Sequence, residues 1–100
     1  MGGKCSPSGG IVAVRDERNL KREGKRRTRT DLYIDGVLVQ SRWYNFRGDA
    51  IWERDHIHQD AHDNHKFPHD HMWRRMWNKK KGKKENIRLK TNLPRNDKYC

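Results

Sequence analysis

The stretch that decides the fold is Thr30-Asp31-Leu32-Tyr33-Ile34-Asp35-Gly36-Val37-Leu38-Val39-Gln40-Ser41-Arg42-Trp43-Tyr44. Two β-prone runs, Thr30–Ile34 and Val37–Tyr44, flank an Asp-Gly pair, which suits a two-residue type I′ turn because both central positions need positive φ. This predicts a hairpin. Downstream, Asn45 to Asp49 with Gly48 reads as the next turn, and Ala50 to His56 as a third strand with Ile51 and Trp52 for packing. Ile57 to Phe67 is polar and has no period, and Pro68 to Trp73 suits a fourth short strand, with proline allowed at its start. Upstream, Ile11-Val12-Ala13-Val14 is a short β-prone run, and Ile87, Leu89 and Leu93 offer a last edge strand. The expectation is an α+β protein: a small antiparallel sheet of four to five strands, a minor helix and disordered basic arms.

The flanks differ from this centre. Residues 1–10 are rich in Gly, Ser and Pro and read as a flexible leader. Met1-Gly2 to Ser6 formally fits a myristoylation pattern, a short pattern that chance often produces. Arg15 to Arg29 holds eight basic and three acidic residues around one large apolar side chain, Leu20. A helix between Asp16 and Glu23, stopped by Gly24, would have no apolar stripe, so a basic arm is the better reading. Arg74 to Lys90 holds nine basic residues and one acid, Glu85, a run normally solvated or bound to phosphates. The organisation expected is a flexible basic arm over 1–29, a core over 30–77 and a basic tail over 78–100.

Composition narrows the partners. The chain has 100 residues, 31% hydrophobic and 37% charged, so its core must be thin and made largely of aromatics. Trp43, Trp52, Trp73 and Trp77 are assigned to that core ahead of base stacking, although Trp77 adjoins the lysine run. The net charge of +11 points to a polyanion, most often nucleic acid. The longest purely apolar run, Ile11–Val14, is too short for a membrane span or for the apolar segment of a signal peptide. Cys5 and Cys100, at the two ends, make a poor disulfide framework and read as free thiols of a reducing compartment, with a terminal clasp as the alternative. The expected location is cytoplasmic, either in the cell of origin or in a target cell after delivery, with no membrane partner.

The candidate site is a block of titratable groups. All six histidines, His56, His58, His62, His65, His69 and His71, fall within sixteen residues, among Asp49, Glu53, Asp55, Asp60, Asp63 and Asp70. Two chemistries use such a set. In one, histidines act as acid and base on the 2′-hydroxyl and leaving oxygen of RNA, since imidazole titrates near 6.5, with Arg42, Arg54 or Lys66 supplying positive charge. An extended Pro68-His69-Asp70-His71 places His69 and His71 on one face and Asp70 on the other. In the other, His62, His65, His69 and His71, with Asp55 or Asp60, hold a divalent ion such as Zn that activates water. The pattern Asp55-His56…Asn64…His71 matches the histidine–asparagine–histidine nucleases poorly, its His56–Asn64 gap being too short.

Leu32-Tyr33-Ile34-Asp35-Gly36, Ser41-Arg42-Trp43-Tyr44, Glu53-Arg54-Asp55-His56 and Phe67-Pro68-His69-Asp70-His71-Met72-Trp73 resemble, in order and spacing, the C-terminal nuclease domains of bacterial polymorphic toxins. Small toxins of some toxin–antitoxin pairs carry a similar ending. The resemblance covers about 43 residues. It implies a barnase/RelE-like α+β nuclease that cuts RNA without a metal and is neutralised by an immunity protein or antitoxin. Carried over by position, His69 and His71 form the leading pair, with Asp55, His62 and Arg54 close by; Arg42 joins the expected catalytic set only as a cation near in the chain. The expected function is therefore a toxin-like ribonuclease using metal-independent histidine catalysis. Its phosphate-binding residues would be Arg26, Arg27, Arg29, Lys66, Arg74, Arg75, Lys79, Lys80 and Lys81. The alternatives are a metal-dependent nuclease and a non-catalytic nucleic-acid-binding protein with a histidine-rich metal loop.

Overall fold

The computed structural model of the protein describes residues 6–57, 69–90 and 92–99. Six strands form one sheet: β1 (Ile11–Val14), β2 (Arg29–Ile34), β3 (Val37–Tyr44), β4 (Ala50–Asp55), β5 (His69–Asn78) and β6 (Lys83–Arg88). Their order in the sheet is their order in the chain. β1 runs parallel to β2 and every later pair is antiparallel. The sheet is thus mixed and six-stranded, not antiparallel with four or five strands. A crossover from residue 15 to 28 returns the chain to the same end of the sheet, which makes the first pair parallel.

Helix is nearly absent among the described residues. In place of the expected minor helix, Glu17–Asn19 forms one 3-10 turn, capped by Asp16, whose carboxylate accepts from the Arg18 amide at 2.9 Å. The Asp35-Gly36 turn is as anticipated: φ is +51° at Asp35 and +78° at Gly36, so the β2–β3 hairpin closes on two left-handed residues.

The segments expected to be loose arms are largely docked where described. β1 joins the sheet, and Leu20 is buried. Arg22 and Gly48 meet the same segment: the Ala50 amide donates to Arg22 O and the Gly24 amide to Gly48 O. At Gly48, φ is +84° and an added Cβ would lie 2.4 Å from Gly24 O, so only glycine fits this crossing. In the basic tail, β6 pairs with β5 along its full length, and Leu93 exchanges backbone hydrogen bonds with Asp70.

Strand alternation divides the side chains into two faces. One carries Leu32, Gln40, Arg42, Tyr44, Glu53, Asp55, His69, His71 and Trp73. The other carries Asp31, Ser41, Trp43, Trp52, Arg54 and Asp70, covered in part by residues 92–99 through Tyr99, which stacks on Trp52 at 4.9 Å. Both faces bury charge. Tyr44, Ala50 and Trp73 form the apolar core cluster, while Glu53 on the first face and Asp70 on the second are wholly buried. Trp43, Trp52 and Trp73 are core residues as expected, but Trp77 is 58% exposed.

Candidate active site

The site grows out of the β4–β5 register. Asp55 stands opposite His69, and Glu53 opposite His71, so the carboxylate and both imidazoles reach the same face at neighbouring positions. Asp55 Oδ2 lies 3.1 Å from Nε2 of His71 and 3.1 Å from Nε2 of His69. His71 donates from Nε2 into an aligned hydrogen bond, whereas His69 meets the same oxygen as a charge contact. The two rings stand edge to face, 4.9 Å apart. All three residues are buried. On the other side of the carboxylate, Gln40 of β3 donates to Asp55 Oδ1 at 2.7 Å.

These contacts set the charge state. Burial by itself would raise the Asp55 pKa, but the hydrogen bonds from His71 and Gln40 and the charges of both histidines bring it down to about 2. His71 moves upward, mainly because its hydrogen bond to Asp55 favours the imidazolium, against the opposing effect of burial. A carboxylate that stays ionised at neutral pH, two imidazoles and three donor atoms within 4.8 Å of one another make a set able to hold a metal ion. Ligands about 2.1 Å from a tetrahedral zinc stand roughly 3.4 Å apart; each imidazole is 3.1 Å from the carboxylate oxygen, and the full set lies within 4.8 Å.

A network of charge lies beneath. Glu53 Oε1 accepts from Arg42 Nη2 at 2.6 Å and Nε at 2.9 Å, and from Trp73 Nε1 at 3.3 Å. Its Oε2 accepts from Arg88 Nη1 at 3.0 Å. Arg42 also donates to the carbonyls of Leu20 and Lys21 and stacks 4.4 Å above the Trp73 ring. Arg88 remains half-exposed and lines two cavities. One, of about 320 Å³, is bordered by Asp55, Gln40 and Ile57. The other, of about 570 Å³, is bordered by Arg42, Trp73 and Glu85. Glu17, Gln40 and Arg88 line both, so the two cavities are neighbours; Asp55 lines the smaller one, while His69 and His71 line neither.

The structure therefore brings together three of the six residues expected to be catalytic: Asp55, His69 and His71. Arg42 is near but turned inward, spent on Glu53 and two carbonyls. Arg54 is on the opposite face, where its guanidinium donates to both oxygens of Asp70 at 2.9 and 3.0 Å and to Asn96 O at 2.9 Å. The physical reason is alternation: Arg54 is adjacent to Asp55 in a strand and must point away from it. His62, with His65, Lys66 and His58, lies outside the described residues. His56 also faces away, with Nε2 3.0 Å from Ser41 Oγ, and burial lowers its pKa.

Among the residues assigned to phosphate binding, Arg29 is turned to Asp31 at 2.9 Å instead. Arg26, Arg27, Arg74, Arg75, Lys79, Lys80 and Lys81 are exposed. Gln40 and Arg88 are not among the candidates the sequence offers, and Glu53 enters there only as one acid of the histidine block. Gln40 follows only from the β3–β4 register, and Arg88 is hidden among lysines in a run that reads as undifferentiated charge.

No described helix is long and apolar enough to cross a membrane. In comparisons with known proteins the chain matches no family model, no curated protein and no solved structure.

Proposed function

We propose that the protein is a nuclease, with RNA as substrate, whose reacting centre is Asp55, His69 and His71 holding a divalent ion. The observation that carries this reading is one buried carboxylate oxygen 3.1 Å from two imidazole nitrogens, on a residue that also lines an open cavity. Two imidazoles and a carboxylate suit Zn and its first-row neighbours better than Mg. An ion held there supplies positive charge to a phosphoryl oxygen and acidifies water. The chain's own residues do the rest. Gln40 holds the Asp55 carboxylate in place, and Glu53 fixes the Arg88 guanidinium at the cavity wall, where it can meet a non-bridging phosphate oxygen. The +11 net charge gathers the polyanion.

A second reading keeps the same residues without a metal, as the toxin-domain resemblance implies. It is favoured by the direct His71–Asp55 hydrogen bond, a base oriented by a carboxylate. One assay separates them. Purified protein is incubated with single-stranded RNA and with DNA of the same sequence, in EDTA and after add-back of Zn, Mn, Ni or Mg. Loss of cleavage in EDTA, its return with a first-row ion and its absence in Asp55→Asn support the metal-dependent nuclease. Full RNA cleavage in EDTA, with DNA left intact, establishes the second reading instead. No scission under any condition overturns both.

A further inference from the structure

We infer that the β5–β6 ribbon is a docking arm for single-stranded nucleic acid, with Trp77 as a base-stacking platform. The inference rests on the nuclease reading for the strand's destination, but its evidence is separate. β4 pairs with β5 only as far as Met72, so beyond that residue β5 pairs with β6 on one side and extends as a two-stranded ribbon. From Arg74 to Lys84 there are seven cations, against one acid of the ribbon, Glu85, which stands 3.5 Å from Lys81, and Asp49, which stands 3.7 Å from Arg75. Arg74, Arg75, Lys79, Lys80, Lys81, Lys83 and Lys84 are all exposed.

The turn is built. The Asn78 side chain accepts from the Lys80 amide at 3.0 Å, the Gly82 amide donates to Asn78 O at 2.8 Å, and Gly82 has φ of +64°. The lysines are therefore presented from a fixed hairpin tip.

Trp77 is the anomaly. In a chain so short of apolar material, three tryptophans are buried and this one is 58% exposed, in the ribbon among cations. Register explains what it is placed to do. Residues 71, 73, 75 and 77 share one face of β5, and the cross-strand partners Trp73↔Arg88 and Trp77↔Lys84 put Arg88 and Lys84 on that face too. On this face His71, Trp73 and Asn86 are buried, so the exposed part is Arg75, Trp77 and Lys84, with Arg88 half-exposed on the side of the site. From His71 to Trp77 the strand rises about 20 Å.

A planar ring beside regularly spaced cations is the combination that holds an unpaired strand, the cations following phosphates and the ring taking a base. A paired duplex keeps its bases stacked internally and offers Trp77 nothing to stack on. The chemistry selects unpaired bases on a phosphate backbone, whether the sugar is ribose or deoxyribose.

The test is fluorescence anisotropy with labelled 12-mers of single-stranded RNA, single-stranded DNA and the matching duplex. It uses full-length Asp55→Asn protein in EDTA so that nothing is cut. Single strands should bind more tightly than duplex. Trp77→Ala in this background should weaken single-strand binding roughly 5- to 150-fold, the span that stacking of one base provides, with Trp77→Phe in between. Joint replacement of Lys79, Lys80 and Lys81 by Ser should reduce the slope of log affinity against log salt by about 2. Circular dichroism and thermal melting should leave the Trp77 variants at wild-type values, since the side chain is exposed. Equal affinity for Trp77→Ala, or duplex bound more tightly than single strands, overturns the docking arm. Binding is read without cleavage, so an inactive protein that still binds through Trp77 sinks the nuclease reading alone.

Discussion

Arg42 Nη2 and Glu53 Oε1 are 2.6 Å apart across the β3–β4 pair, and Glu53 has no solvent exposure at all. Arg42 is thus a structural element: it neutralises a buried acid that also holds Arg88 and the Trp73 indole. A thin apolar core is supplemented by charge satisfied on every side. Such networks are sensitive to losing one member, because the partner left behind is buried without compensation.

Glu53→Ala should therefore destabilise the fold by about 3–5 kcal/mol, a large share of what a small domain has. Glu53→Gln keeps the shape but leaves Arg42 without its counter-charge, and should fall between. Urea denaturation midpoints read both. A Glu53→Gln protein as stable as wild type would show that the charge itself contributes nothing.

Arg54 should behave as a stability residue. Its fork donates to both Asp70 oxygens and to Asn96 O, and its guanidinium is 5.1 Å over the Trp43 ring. Arg54→Lys keeps the charge but loses the bidentate geometry, and should cost about 1.5–3 kcal/mol. A lysine variant with an unchanged melting temperature would refute this role.

With the chelator present, stability should depend on pH in a defined direction. Asp55 falls to about 2 in the folded state, from 3.8. Asp70 is also lowered: burial opposes its ionisation, but the Arg54 and Asn96 hydrogen bonds win. Depressed carboxylates contribute stability that is complete above about pH 4 and lost as pH falls toward 2. His71, raised by Asp55, contributes stability that is complete below 6.5 and lost as pH rises through its folded value. His56, lowered by burial, acts in the opposite sense and adds stability as pH rises through 6.5, so the profile around neutrality is the difference between the two histidines. His71→Gln should remove the loss on the alkaline side relative to wild type; a difference between the two melts that does not change with pH above 6.5 would show that His71 contributes none of it.

Tyr99 covers the second face, stacked on Trp52 with a 9° interplanar angle and edge-on to Trp43 at 5.6 Å. Tyr99→Ala should cost about 1–3 kcal/mol through lost area and ring contact. It should also leave Trp52 open to acrylamide quenching. Unchanged quenching would mean that Tyr99 does not shield that face.

Much of the sheet was legible in the sequence, because its signals are local. Val37–Tyr44 needed only its alternation and the Asp35-Gly36 turn, and Ile11–Val14 only its branched side chains. What escaped depended on distant partners. β1 is parallel because of a crossover whose docking rests on Leu20 and on Arg22 and Asn86, 64 positions apart. β5 runs to Asn78 because β6 pairs with it, against a polar composition that argued for a solvated tail. At the site, clustering of histidines located Asp55, His69 and His71. Clustering carries no information about faces, however, and so Arg54 and Arg42 were placed beside them. The adjacent-residue rule of a strand was sufficient to move Arg54, but choosing Arg42's partner needed the β3–β4 register.

Strand order that follows chain order has a kinetic corollary. Most pairings close short loops, so the β2–β3 hairpin can nucleate and its neighbours can add one at a time, which favours rapid assembly for an all-strand topology. The contacts between Arg22 and Asn86, and between Arg54 and Asn96, span far longer loops and belong to the end of that process. The last steps of folding are then the docking of the crossover onto β6 through Asn86 and of the C-terminal segment onto Arg54.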